Sequence, residues 1–150
     1  EQLINVHQLG GIVELVGFHD EAEVIACLQS SQVFALPCRD VPAGTQDGIP
    51  SQFVTAIRDD IPVSLIEAMS VGLPVVATDQ SSIPELIDDQ VNGFLVPPGD
   101  PSALASALEL LLSNPALRRR LGSMARDQVR REFDGLECAR QLSALFAGSM

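Results

Sequence analysis

Along this chain, short apolar runs bounded by Gly, Pro or polar residues alternate with stretches whose apolar residues recur every three or four positions. The runs read as buried strands and the recurring pattern as helix. Glu1 to Gly11 reads as the end of a helix carrying Leu3, Ile4 and Leu9, stopped by Gly10-Gly11. Ile12 to Val16 is the first expected strand, closed by Gly17. Glu21 to Ser30 is a helix, acidic at its start, with Val24, Ile25 and Leu28 apolar. Val33 to Leu36 is the next strand, ending at Pro37-Cys38. Val63, Ile66 and Met69, with Leu65, fit one wide face of a helix. Gly72 follows it, where a residue tolerant of positive φ is wanted. Pro74 blocks continuation, and Val75-Val76 lead a strand buried on both faces. Ser81-Ser82 are expected to cap a short helix, Ile83 to Asp88, with Pro84 in its first turn. Asp89 to Gly93 is a turn and Phe94 to Val96 the last strand. Asp100-Pro101 is a strong helix start, with Leu104, Ala107, Leu108, Leu111 and Leu112 on one side. Ser113-Asn114-Pro115 breaks that helix and opens another, Ala116 to Glu132. Asp134 caps the last, which carries Leu136, Leu142, Leu145 and Phe146. Strands alternating with helices imply a three-layer α/β fold with a parallel sheet and right-handed crossovers.

One stretch breaks the alternation. Arg39 to Arg58 holds Pro42, Gly44, Gly48 and Pro50 and no clear period. A loop of that length in a compact domain is either functional or disordered. It contains Asp47-Gly48-Ile49-Pro50, an echo of Asp59-Asp60-Ile61-Pro62 that no acid-bearing helix follows, so the echo is set aside.

Composition narrows the function. At 150 residues with 46% hydrophobic content the chain can hold one ordinary core. Its net charge of −11 argues against nucleic acid as a general partner. No apolar run approaches transmembrane length, and no basic-then-apolar leader opens the chain. It starts at Glu1 and is read as a piece of a longer protein. All nine basic residues are Arg. Arg118, Arg119, Arg120, Arg126, Arg130 and Arg131 are read as a solvated helix face, with anionic lipid as the alternative contact. Cys27, Cys38 and Cys138 are odd in number and lack C-x-x-C spacing, so neither a disulfide framework nor a structural metal site is expected. His7 and His19 are too far apart to suggest a metal. No G-x-G-x-x-G fingerprint is present, since Gly10-Gly11 precedes a strand instead of following one.

The chemistry concentrates around the helix after Pro62. Asp59 and Asp60 precede a helix whose first amides lack partners, and such an end attracts anions, phosphate among them. Glu67 lies further in, where a carboxylate must find hydrogen-bond donors or stay at a cleft edge.

The pattern Asp59-x7-Glu67, followed by Ala68-Met69-x-x-Gly72-x-Pro74-Val75-Val76-Ala77, resembles the donor-sugar motif of the retaining glycosyltransferases of family 4, which have the two-domain GT-B fold. Ile83-Pro84-Glu85-Leu86-Ile87 and Asn92-Gly93-Phe94-Leu95-Val96-Pro97-Pro98-Gly99-Asp100-Pro101 continue it in order. The resemblance covers roughly Val13 to Phe146. It implies that the chain is the later part of a Rossmann-like C-terminal, nucleotide-sugar-binding domain. The acceptor-binding N-terminal domain and the first strands would then lie outside it. It also implies the strand order 3-2-1-4-5-6, with Ile12 to Val16 third and Val33 to Leu36 fourth. By the same resemblance Glu67 accepts hydrogen bonds from the ribose hydroxyls of the donor nucleotide. Asp59, a methylene shorter than the family's glutamate, contacts the donor sugar at its reacting carbon. Asp60 and Pro62 stand where the family has glycines. Pro62 has no amide to give, so the Val63 and Ser64 amides and the Ser64 hydroxyl are the expected diphosphate donors. Gly17 and Phe18 correspond to the turn against the nucleobase; the alternative is a plain strand-ending turn.

The reaction implied is transfer of a hexosyl group from a nucleoside-diphosphate sugar to an acceptor hydroxyl of a glycan, lipid or polysaccharide. It needs no metal or other cofactor in this family, and proceeds with retention of configuration. The parent is expected in the cytoplasm or peripherally at the inner face of the membrane. The family's Arg and Lys for the diphosphate have no counterpart here: there is no Lys, and no Arg precedes Arg39. Three other readings stay open: a non-catalytic nucleotide-sugar-binding module, a sugar-nucleotide epimerase on the same fold, and a bare scaffold. The isolated piece is expected to transfer no sugar, and to self-associate through uncovered apolar surface unless the Ile12 to Val16 strand has moved.

Overall fold

The computed structural model of the protein describes residues 2–38 and 61–147. Three parallel strands form its middle layer: β1 (Phe34–Leu36), β2 (Val75–Thr78) and β3 (Phe94–Val96), in the order β1-β2-β3. Val75 to Ala77 pair with Phe34 to Leu36, and Val76 to Thr78 with Phe94 to Val96. All four residues of β2 are buried, as the unbroken Val-Val-Ala run requires of a central parallel strand. Seven helices surround the sheet among the described residues: α1 (Gln2–Val6), α2 (Glu21–Ser30), α3 (Val63–Ser70), α4 (Ile83–Leu86), α5 (Pro101–Ser113), α6 (Pro115–Glu132) and α7 (Gly135–Ala147).

The pleat sorts the core into two layers. Val75 and Ala77 of β2, with Phe34, Leu36 and Leu95, pack toward Leu28 of α2, Leu65 and Met69 of α3, Leu86 of α4, and Ala125 and Val129 of α6. Val76, Phe94 and Val96 pack on the other side against Leu104, Ala107 and Leu111 of α5 and Leu121 of α6. Helix α6 therefore serves both layers. It comes close to the end of α3 because Gly122 has no side chain: a Cβ there would lie 2.0 Å from the Gly72 carbonyl oxygen.

Helix α3 stops where Gly72 allows it to. With φ at +79°, the Gly72 amide donates to the Met69 carbonyl at 2.9 Å and the Leu73 amide to Ala68 at 3.1 Å. This pair of bonds is the Schellman arrangement, and it turns the chain directly into β2. The turn from α4 into β3 is held by a buried amide. Asn92 donates to the Leu86 carbonyl at 3.1 Å and to Gln128 Oε1, and its Oδ1 accepts from the Asp88 amide at 2.8 Å. Arg120 donates to the Gln90 carbonyl at 3.1 Å, and Arg118 to the carbonyls of Leu111 and Leu112 at 2.6 and 2.7 Å. Two members of the arginine cluster thus tie α6 to its neighbours.

Several expectations change. Ile12 to Val16 is not a strand: it is irregular backbone outside the sheet, with Ile12 83% exposed. Strand propensity is realised only against a neighbour that pairs the backbone, and this segment has none among the described residues. Helix α1 ends at Val6, ahead of Gly10-Gly11, and α4 ends at Leu86, with Ile87 already extended. Ser82 stands at the N-cap of α4, but its φ of −86° and ψ of 1° lie outside the extended region a capping residue adopts, and its hydroxyl makes no cap bond. Asp100 and Asp134 do cap α5 and α7. Helix α7 leaves Leu136, Leu142, Leu145 and Phe146 exposed. The irregular stretch from Arg39 to Arg58, its echo motif, and Asp59 and Asp60 lie outside the described residues.

Candidate functional site

Helix α3 carries most of the expected site, so what fixes its rotation matters. Leu65, Ala68 and Met69 are fully buried and Ile66 half-buried. Val63 is 67% exposed and Glu67 is exposed. This corrects the apolar face expected from periodicity: Val63 belongs to the outer side, one turn before Glu67. In an eight-residue helix a shift of one position redraws the buried arc, and packing on β2 and α6 selected Leu65, Ala68 and Met69. The outcome is that Val63 and Glu67, four residues apart, share one exposed stripe, with half-buried Ser64 beside it.

Among the described residues, the start of α3 has no side-chain cap, unlike the starts of α2, α5, α6 and α7. Pro62 is the N-cap residue, with φ −62° and ψ 120°, and no side chain there accepts from the first turn. The Leu65 amide bonds back to the Pro62 carbonyl at 3.0 Å, which leaves the Val63 and Ser64 amides at the tip. These amides carry the positive end of the helix dipole. Pro62, Val63, Ser64 and Glu67 thus sit at one helix start, with the Glu67 backbone about 6 Å along the axis from that of Val63 at 1.5 Å per residue.

Gly17 and Phe18 are placed differently. Gly17 turns the chain with φ +70° and a Cβ there would meet nothing within 4 Å. Phe18 is 98% exposed, so its ring packs against no wall of the described protein. Immediately after it, Asp20 and Glu23 form a capping box for α2: the Glu23 amide donates to Asp20 Oδ1 at 2.9 Å and the Asp20 amide to Glu23 Oε2 at 3.0 Å. That backbone bond, with His19 Nδ1 at 3.1 Å from the same carboxylate oxygen, holds the Glu23 carboxyl below the ordinary glutamate value. Asp59 lies outside the described residues.

Other features escaped the sequence. Thr78, at the end of β2, and Ser82, before α4, are buried with hydroxyl oxygens that have no hydrogen-bond partner among the described residues. A polar residue closing the Val75-Val76-Ala77 run was the available signal. Among the described residues no group of His, Cys, Asp and Glu could hold a metal ion, and no helix is long and apolar enough to cross a membrane. Cys27, Cys38 and Cys138 are free thiols, and burial pushes the Cys38 thiol above its ordinary pKa.

Residues 1–128 match the family of glycosyl transferases group 1, and the chain belongs to that family. It is 38% identical over 133 residues to the amylovoran biosynthesis glycosyltransferase AmsK of Erwinia amylovora, covering 89% of this chain and 30% of that protein. The sucrose-phosphate synthase of Thermosynechococcus elongatus superposes with a TM-score of 0.79 at 26% identity, over 98% of this chain and 32% of the other. Anabaena HepE, solved in complex with UDP, superposes with a TM-score of 0.80 at 22% identity, over 98% of this chain and 35% of the other, a likeness of fold. The chain thus spans about a third of the length of the proteins it matches, and its parallel sheet is part of the Rossmann-like fold of GT-B glycosyltransferases.

Proposed function

We propose that the protein carrying this chain is a retaining glycosyltransferase of family 4. It moves a hexosyl group from a nucleoside-diphosphate sugar to an acceptor hydroxyl in the synthesis of a polysaccharide, glycan or glycolipid. The observation that carries the reading is the arrangement on α3: an uncapped helix start and an exposed glutamate on one stripe, within the ordered Asp59-x7-Glu67 motif. The amides of Val63 and Ser64, with the Ser64 hydroxyl, meet the diphosphate, whose charge grows as the sugar leaves. Glu67 accepts the paired ribose hydroxyls, which a carboxylate can do with both oxygens at once. Asp59 contacts the transferred sugar. Gly17 and Phe18 lie against the nucleobase, which requires the Phe18 ring to leave solvent when the donor binds. The transfer needs no metal or organic cofactor. The acceptor enters from the N-terminal domain, at the cytoplasmic face of the membrane where it is a lipid. The UDP bound to Anabaena HepE supports a nucleoside diphosphate as the donor's leaving group.

The test is calorimetric titration of the full-length protein with UDP-glucose and GDP-mannose, before and after Glu67→Ala. Loss of a hydrogen bond to a charged group is expected to weaken the bound donor by about 1.5–3 kcal/mol. The exposed position of Glu67 means the fold is unaffected. Unchanged affinity in a folded variant would remove Glu67 from the site.

A further inference from the structure

The register that pairs Thr78 with Val96 places the Thr78 side chain on the α5 side of the sheet, across β2 from α3 and Glu67. Thr78 is 3% exposed and its hydroxyl oxygen has no hydrogen-bond partner among the described residues. It borders a half-open cavity of about 170 Å³ walled by Pro37, Val96, Pro97 and Leu104, with Asp100 at the start of α5. Buried hydroxyls are normally satisfied, so a hydroxyl left over on a cavity wall points to a partner that enters from outside.

The lining says what kind. Among the described residues it holds no cation, and the one charged residue among them is Asp100. The helix start beside it is already occupied, because Asp100 Oδ1 takes the amides of Ser102 and Ala103 at 3.0 and 2.9 Å. Phosphate and carboxylate are therefore disfavoured. The apolar walls suit C–H surface, while the Thr78 hydroxyl can both donate and accept. An apolar cavity of about 150 Å³ is large enough for one benzene ring, so this one admits a single six-membered ring. We propose that the Thr78 cavity is a second binding site of this protein, for one neutral pyranose unit, separate from the donor site on α3. Thr78 meets one of the sugar's hydroxyls, and Val96, Pro97 and Leu104 meet its C–H face.

The experiment uses the full-length protein, labelled at its methyl groups and observed by NMR. The probes are the methyl α-glycosides of glucose, galactose and mannose, with glucose 1-phosphate and benzene as comparisons. At least one glycoside is expected to give saturable shifts of the Leu104 and Val96 methyls in the millimolar range, and glucose 1-phosphate to bind more weakly. Thr78→Val, nearly isosteric, should weaken the glycoside about fivefold or more, the value of one net hydrogen bond, and Thr78→Ser should retain it. Thr78→Val should leave the melting temperature no lower, since the hydroxyl has no partner among the described residues to lose. It should also leave UDP-glucose affinity unchanged, so failure of the donor reading is read separately. No saturable shift with any glycoside, binding of benzene alone, tighter binding of glucose 1-phosphate, equal glycoside affinity in Thr78→Val, or loss of donor affinity with it would each overturn the proposal.

Discussion

Helices α3 and α5 each follow a strand of the same parallel sheet, and their starts are built in opposite ways. At α5 the chain supplies its own anion: Asp100 accepts from two amides of the first turn. Helices α2 and α7 likewise use a carboxylate, Asp20 and Asp134, and α6 a neutral side-chain amide oxygen, that of Asn114. At α3 the capping position holds Pro62, which has no group to offer. A cap contributes about 1 kcal/mol, and any of four common residues would provide one. The helix that forgoes it, where the other long helices among the described residues are capped, has the start that the proposed donor site assigns to the diphosphate. Stability of α3 is secured elsewhere, by the Gly72 turn and the contact with Gly122, so the open end is tolerated.

The strongest way to break this comparison is to remove that support. Gly122→Ala places a methyl group 2.0 Å from the Gly72 carbonyl oxygen, where backbone has to move. In an ordinary helix interior the same change stabilises by up to about 1 kcal/mol. Here overpacking against a fixed carbonyl dominates, and a loss of about 3 kcal/mol is expected. Chemical denaturation checks it: a neutral or stabilised variant would mean that α6 does not brace α3 through this seam.

Sharpening the comparison calls for exchanging the two starts. Pro62→Asp gives α3 the anion that α5 already has. The new cap and the lost rigidity of proline nearly cancel, so stability should change by less than about 1 kcal/mol. Donor affinity should fall about tenfold, because the carboxylate takes the amides and repels a diphosphate. Pro62→Ala is the control and should bind the donor normally. Equal affinity for UDP-glucose in Pro62→Asp and Pro62→Ala would remove the helix start from the site. The reciprocal change, Asp100→Ala, opens α5 and should cost about 1 kcal/mol in thermal or urea unfolding, with no gain in affinity for the nucleotide.

This contrast also shows where sequence reasoning succeeds. Asp100-Pro101, Asp134 and the Glu21 to Ser30 helix were legible because a cap acts on amides two or three residues away. The ends of β3 were legible because Gly93 and Pro97 bound them. The helix that carries Glu67 is legible because Gly72 and Pro74 end it locally, and the motif order points to the family. The rest is long-range. Val63 satisfied the helical period, yet only contact with β2 and α6 decides which arc of α3 is buried. Ile12 to Val16 has a strand's composition and lacks a partner. Gly122 is an unremarked residue inside a helix until Gly72 arrives opposite it, and Thr78's unmatched hydroxyl exists only once Val96 and Leu104 surround it.

The smallest expected effect concerns a helix start that does cap itself and is sensitive to pH. In α2 the Glu23 carboxylate accepts from the Asp20 amide and lies beside His19. The backbone bond is the main cause of its lowered pKa, and His19 adds to it. A group with a depressed folded value stabilises the fold above its unfolded value. That contribution is lost as pH falls through the lowered folded value. The reciprocal bond should therefore persist below the pH at which an ordinary glutamate protonates, then release. Following the Asp20 amide proton together with the Glu23 side-chain carboxyl carbon by NMR from neutral to acid pH would show the two changing in step. Glu23→Gln keeps an acceptor in the box and removes the Glu23 titration, so the change at the Asp20 amide across the range should be smaller than in the parent. Because Glu23 is exposed, global stability should hardly respond. A cap that opened at the ordinary glutamate pKa, or an Asp20 amide change as large in Glu23→Gln as in the parent, would show that the α2 box is held by something other than this carboxylate.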